Sequence, residues 1–283
     1  MFITVNGAKL YFDVEGAGLV PDGPRMREKP TLLMLHGGPG MDHTLYKPQF
    51  SQLADIAQIV YLDHRGNGRS GGDDPATWTL AQWGDDVKGL CDALGIVKPI
   101  VYGASFGGCV AEAYATQHPA HPVKLILSNT AARIDFATIF AAFERIAGPA
   151  ARAIAETYWM QPTLERRQRY MDVCLPLYNV RARANDDWRQ RTILKHAVGL
   201  HFNGPNNEQG RMDFRARLAD IVCPTLVIGA DRDPIMPMPF SEEIARCLPQ
   251  HLVRFERFAD CGHGTPIDQP ERTFALLREF VLE

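Results

Sequence analysis

The chain has 283 residues, enough for one large α/β domain or two small ones, and its 46% hydrophobic and 22% charged residues suit a globular protein with a full core. A formal charge of −3 gives no reason to expect nucleic acid or an anionic membrane as partner, and no apolar run reaches the ~18 residues that span a bilayer. Six cysteines are scattered without a C-x-x-C pair, which predicts reduced and largely buried thiols.

The opening residues, Met1-Phe2-Ile3-Thr4-Val5-Asn6-Gly7, lack the basic-then-apolar order of a signal peptide, so a cytoplasmic protein is expected. They predict a β-hairpin, Phe2–Val5 and Leu10–Val14 around an Asn6-Gly7 turn. Residues 16–30, rich in Gly and Pro, read as a surface loop. Strands follow at Thr31–Leu35 and Gln58–Leu62. Leu80, Trp83, Val87, Leu90, Cys91 and Leu94 then recur at helical spacing and lead into Gly95, a natural C-cap. Further strands are predicted at Pro99–Tyr102, Val123–Leu127, Pro224–Ile228 and Leu252–Phe255, and Pro270 opens a last helix carrying Phe274, Leu277, Phe280 and Val281. Short apolar runs alternating with helices indicate an α/β fold with a mostly parallel sheet covered on both faces.

Between Thr130 and about Arg217 the strand pattern stops. The segment reads as several helices, the clearest with Phe136, Ile139, Phe140, Phe143 and Ile146 on one face. An all-helical insertion between two strands predicts a cap, residues 131–217, over a core made of 1–130 and 218–283, where open α/β sheets bind ligands. The cap holds 14 Lys and Arg against 9 Asp and Glu, whereas the remainder is net acidic.

The chemistry is carried by Gly103-Ala104-Ser105-Phe106-Gly107, between an apolar strand and a run of small residues and helix formers. A serine flanked by glycines on a strand-to-helix turn is a nucleophile elbow. Such a serine needs a base, an orienting acid and donors for a developing oxyanion. His263, in the glycine-flanked loop after the last strand, is the expected base. The acid is expected at Asp233 in Asp231-Arg232-Asp233-Pro234, with Asp231 the competing reading. Backbone amides of Gly38 and Phe106 are the expected oxyanion donors, and His36 is expected to fix its loop rather than act as base. Cys261, beside the predicted base, is expected to be structural. No ligand cluster at metal spacing appears, so neither metal nor organic cofactor is expected.

The order Ser105, Asp233, His263 is that of α/β-hydrolases, and the chain resembles the proline iminopeptidase group of that fold along essentially its whole length. His36-Gly37-Gly38-Pro39-Gly40 is similar to that group's oxyanion signature, and Asp63-His64-Arg65-Gly66-Asn67-Gly68-Arg69-Ser70 to its D-x-R-G-x-G-x-S block. The resemblance implies a serine hydrolase working through an acyl-enzyme. Two positions depart from the group: Phe106 stands where tryptophan is usual, and Gly108 where serine is usual. Those peptidases also read a free amino terminus with acidic cap residues, whereas this cap is net basic. The sequence therefore favours a small ester, lactone or non-peptide amide over an N-terminal peptide bond, with a small molecule or short peptide as the substrate and no nucleic acid or membrane as partner. Glu144, Phe140 and Phe143 are the expected substrate contacts, and Glu156, Glu165 and Glu208 are further candidate carboxylates.

Overall fold

The computed structural model of the protein describes residues 1–181 and 188–283. Its strands are β1 (Phe2–Val5), β2 (Ala8–Glu15), β3 (Leu19–Asp22), β4 (Arg25–Glu28), β5 (Thr31–Leu35), β6 (Gln58–Asp63), β7 (Ile100–Ala104), β8 (Lys124–Ser128), β9 (Thr225–Ala230) and β10 (Val253–Phe258). Eight of them form one sheet in the order β1-β2-β6-β5-β7-β8-β9-β10. The β1–β2 and β2–β6 pairs are antiparallel, and the remaining pairs are parallel.

The helices are α1 (Leu80–Leu94), α2 (Phe106–Gln117), α3 (Phe136–Met160), α4 (Leu164–Val173), α5 (Trp188–Arg191), α6 (His196–Phe202), α7 (Glu208–Arg211), α8 (Met238–Cys247), α9 (Thr265–Asp268) and α10 (Pro270–Leu282). Central strands are apolar at successive positions because both of their faces are covered. On β5, Leu33 and Leu35 join the cluster that holds Trp83, Val87 and Leu90 of α1 and Val110 and Tyr114 of α2. Leu32 and Met34 point the other way, into the cluster of Phe274, Leu277 and Phe280 from α10. Helix α1 starts on Thr79, whose side chain accepts from Gln82 N, and ends on Gly95 in the left-handed conformation.

Residues 16–30 differ from the expected loop: they contain the β3–β4 hairpin, paired from Leu19↔Glu28 to Asp22↔Arg25. Its side chains are almost all exposed, so pairing rests on backbone hydrogen bonds and leaves no apolar alternation to read. Between β8 and β9 the described elements are α3 to α7 and two short 3₁₀ turns. Helix α3 kinks at Gly148, φ 81°, followed by Pro149. No helix among the described residues is long and apolar enough to cross a membrane. The carboxyl ends of β5, β7, β9 and β10 all open into the loops that carry the predicted chemistry, which is where a parallel sheet presents its ligand crevice.

Candidate active site

Ser105 joins β7 to α2 at φ 55° and ψ −124°, a strained backbone for a residue with a Cβ. The strain is held from several sides. Ser105 N donates to the carbonyls of Ser128 and Asn129 at 3.1 and 3.2 Å, and its own carbonyl accepts from Thr130 Oγ1 at 2.8 Å. The elbow must also pass close to its neighbours: a methyl group on Gly107 would lie 2.0 Å from the Leu35 carbonyl oxygen. Glycine is required there by contact rather than by conformation.

His263 and Asp233 meet across the ends of β9 and β10. Asp233 Oδ2 accepts from His263 Nδ1 at 2.7 Å and from Asn129 Nδ2 at 3.0 Å, while Oδ1 accepts from Ile235 N and Met236 N at 2.9 and 2.8 Å. The buried carboxylate thus accepts at four lone-pair sites and has one orientation open to it. Asp231 is exposed, and among the described residues its side chain accepts only from Cys261 N at 3.3 Å, so the geometry separates the two competing aspartates. Burial, with nearby Asp268, Asp233 and Asp231, pushes the Cys261 thiol up to about 12, so it stays protonated at neutral pH.

The histidine loop is clamped by the segment that follows α4. His263 N donates to the Tyr178 carbonyl at 2.6 Å, and Gly264 N to Asn179 Oδ1 at 2.9 Å. Asp268, buried at the end of α9, accepts from Gly262 N at 2.7 Å, Val180 N at 3.0 Å and Arg181 N at 2.9 Å. Sequence reasoning missed Asn129, Asn179 and Asp268. For Asn129 and Asp268 the only signal was a polar residue at the end of a strand or a short helix.

The β5 loop brings Gly38 to the same cavity as Ser105 and Phe106. Gly38 has φ 56°, a conformation that glycine adopts freely. Behind it, buried His36 bonds the Gly37 carbonyl through Nδ1 at 3.0 Å and accepts from His64 N through Nε2 at 3.2 Å, which fixes its tautomer. Burial lowers its basicity further, so it is a neutral brace for the loop. Asn67 Oδ1 accepts from Gly40 N at 2.6 Å and ties residues 63–70 to this loop. Asp42, His43 and Asp63 form a compact buried group. Protein donors take up its carboxylates: His43 Nδ1 and Arg69 N on Asp63, Thr44 N, Arg69 Nη1 and Ile193 N on Asp42. Burial raises the Asp63 carboxyl, but the hydrogen bond from His43, the neighbouring imidazoles and the hydrogen bond from Arg69 N outweigh it and bring it to about 2.

Ser105, His263, Gly38 and Phe106 line one cavity of about 560 Å³, roofed by Tyr158, Trp159, Arg167, Tyr170, Tyr178 and Phe202. The expected substrate contacts lie elsewhere. Phe140 and Phe143 are buried in the core cluster, and Glu144 is exposed, with Oε2 accepting from Arg152 Nη1 at 2.5 Å. The first half of α3 packs its apolar stripe into the core, which leaves Glu144 on the solvent side, and only beyond the kink do Tyr158 and Trp159 reach the cavity. Glu156 also pairs with Arg152 at 3.6 Å, Glu165 is exposed, and Glu208 accepts from Leu80 N at 2.9 Å. None of these four carboxylates lines the cavity.

Residues 30–270 match the alpha/beta hydrolase fold family, and the chain belongs to that family. It is 30% identical to "Putative carbamate hydrolase RutD" of Caulobacter sp. (strain K31), over 98% of this chain and 97% of that protein. It is 28% identical to the proline iminopeptidase PfmaB of Pestalotiopsis fici, over 87% of this chain and 86% of that one. Among solved structures it superimposes on a thermophilic esterase from Thermogutta terrifontis with a TM-score of 0.67 at 28% identity, covering 99% and 97% of the two chains. Its relatives thus include a proline iminopeptidase, in line with the resemblance carried by residues 36–40 and 63–70.

Proposed function

We propose that the chain is a serine hydrolase that cleaves a small ester, lactone or non-peptide amide through an acyl-enzyme. The observation that carries this reading is the Asp233–His263 pair at 2.7 Å facing the same cavity as the strained Ser105. Nδ1 of His263 is engaged by Asp233, which leaves Nε2 to take the Ser105 hydroxyl proton as Oγ attacks the carbonyl carbon. Asp233 orients the ring and stabilises its cationic form. The amides of Gly38 and Phe106 receive the oxyanion, and His263 returns the proton to the leaving group. A water then loses a proton to His263 and attacks the acyl-enzyme, and the acid leaves as Ser105 recovers its hydrogen.

In this reading residues 1–130 and 218–283 form the catalytic core, and residues 131–217 form a cap that sets substrate choice. The charged groups lining the cavity among the described residues are Arg167, Arg181 and Arg189. Guanidinium groups suit neutral or anionic substrates, whereas the aminopeptidase alternative, suggested by PfmaB, calls for a carboxylate facing the substrate's ammonium. A fluorophosphonate should label Ser105, and Ser105→Ala should lose turnover of para-nitrophenyl esters on the order of 10⁴-fold or more. Full activity in that variant, or proline arylamides cleaved better than esters, would reject the proposal.

A further inference from the structure

The roof of the cavity contains a cation without a counter-ion among the described residues. Arg167 lines the cavity yet is only 5% exposed. Its hydrogen bonds go to neutral acceptors: Nε to His196 Nδ1 at 3.1 Å and Nη1 to Tyr158 Oη at 3.1 Å. Nη2 has no protein acceptor among the described residues. A guanidinium removed from water is costly unless an anion meets it, and a planar fork of donors fits a carboxylate best.

The surroundings add donors rather than charge. Tyr158 Oη also accepts from Asn203 Nδ2 at 2.6 Å, so both its lone pairs are used and its own proton is unassigned. Asn203 Oδ1 is buried without a partner. Turning the Asn203 amide over would let Tyr158 donate to Oδ1, but would then strand the two amide protons. In either orientation a spare donor stands beside the guanidinium. His196 accepts at Nδ1 and is made less basic by burial and by Arg167, so it brings no negative charge. The position is also built from below. A methyl group on Gly199 would lie 2.7 Å from Arg167 Nη1 and 3.0 Å from the Pro39 carbonyl oxygen, so glycine there lets both the guanidinium and the oxyanion loop pack against α6.

We propose that Arg167, with Tyr158 and Asn203, forms a subsite for a carboxylate, and that the enzyme's substrates are small esters, lactones or amides carrying a free carboxylate away from the scissile carbonyl. This rests on the hydrolase reading of Ser105. The subsite explains why a buried arginine with no acidic partner faces the cavity.

The test compares para-nitrophenyl valerate with its acyl-carboxylated counterpart, the para-nitrophenyl hemiester of glutarate, and with para-carboxyphenyl valerate. Arg167→Met should lower kcat/KM for one of the carboxylated esters on the order of 100-fold, mainly through KM, and far less for the neutral ester. Arg167→Lys should fall between. Equal losses on all three esters would make Arg167 a structural residue and overturn the subsite. If Arg167→Met does not fold, the unaltered protein decides: glutarate should slow fluorophosphonate labelling of Ser105 more than glutaramide does, and equal slowing overturns the proposal. Failure of the fluorophosphonate to label Ser105 at all would instead reject the hydrolase reading.

Discussion

Thr130 fills the space that a side chain at position 108 would need. A methyl group on Gly108 would stand 2.4 Å from both Cβ and Oγ1 of Thr130, whose hydroxyl donates to the Ser105 carbonyl at 2.8 Å. The departure from the peptidase group at position 108 therefore belongs to a pair of residues that hold the elbow together. Gly108→Ala should destabilise the protein by about 1–3 kcal/mol, because Thr130 Cβ cannot swing away and α2 must shift. In a Thr130→Gly background the same change should cost less, with a coupling of roughly 0.5–3 kcal/mol in a double-mutant cycle. Additive unfolding free energies would show that the two positions do not share that space.

Asp233→Asn should reduce kcat on the order of 10⁴-fold with little effect on folding, since an amide offers one acceptor oxygen where Asp233 uses two and favours the wrong imidazole tautomer. Asp231→Asn should leave turnover within about threefold, as an exposed carboxylate that accepts from Cys261 N rather than from His263 has no part in the chemistry. Steady-state kinetics on one ester decide the ranking, and the reverse order would transfer the acid's role to Asp231.

The loops at the strand ends were legible because their chemistry is local: a serine between glycines, an aspartate before proline, a histidine between glycines. The roof of the cavity was not. The apolar stripe through Phe136, Phe140 and Phe143 has helical spacing, and core and cavity faces look alike in such a stripe. Glu144, beside buried Phe143 on the first half, faces solvent, and Gly148-Pro149 then breaks the helix and re-aims its second half, so that Tyr158 and Trp159 turn in. One signal was available. Arg167, Tyr170 and Cys174 are buried at helical spacing, and an arginine on such a stripe marks a polar group facing inward.

Asp268 holds the histidine loop to the segment after α4 through the three amides of Gly262, Val180 and Arg181. Asp268→Ala leaves one buried and two part-buried donors without their acceptor, so a loss of about 1–3 kcal/mol in stability is expected. Because one of those donors lies next to His263, kcat should fall as well, and the residual enzyme should be more easily inactivated by heat. Calorimetry and kinetics of the purified variant test both parts. A variant that melts normally and turns over normally would show that the loop is held elsewhere.

Glu112, in the middle of α2, is fully buried, and neither carboxyl oxygen has a hydrogen-bond partner. Burial, and to a lesser degree the charge of Glu243, pushes its carboxyl well above 4.5. The native chain therefore keeps a proton on Glu112 that the unfolded chain releases once the pH passes the ordinary value. The native state binds more protons, so stability falls as pH rises from there toward the native pKa, and the penalty is absent in acid. Glu112→Gln cannot ionise in either state. Its unfolding free energy relative to the parent should therefore rise between pH 4.5 and 7.5, and Tm at neutral pH should gain about 2–4 °C for each kcal/mol recovered. Urea unfolding of both proteins across this range measures the difference directly. Parallel stability profiles would mean that Glu112 is ionised in the native protein and has a donor close by.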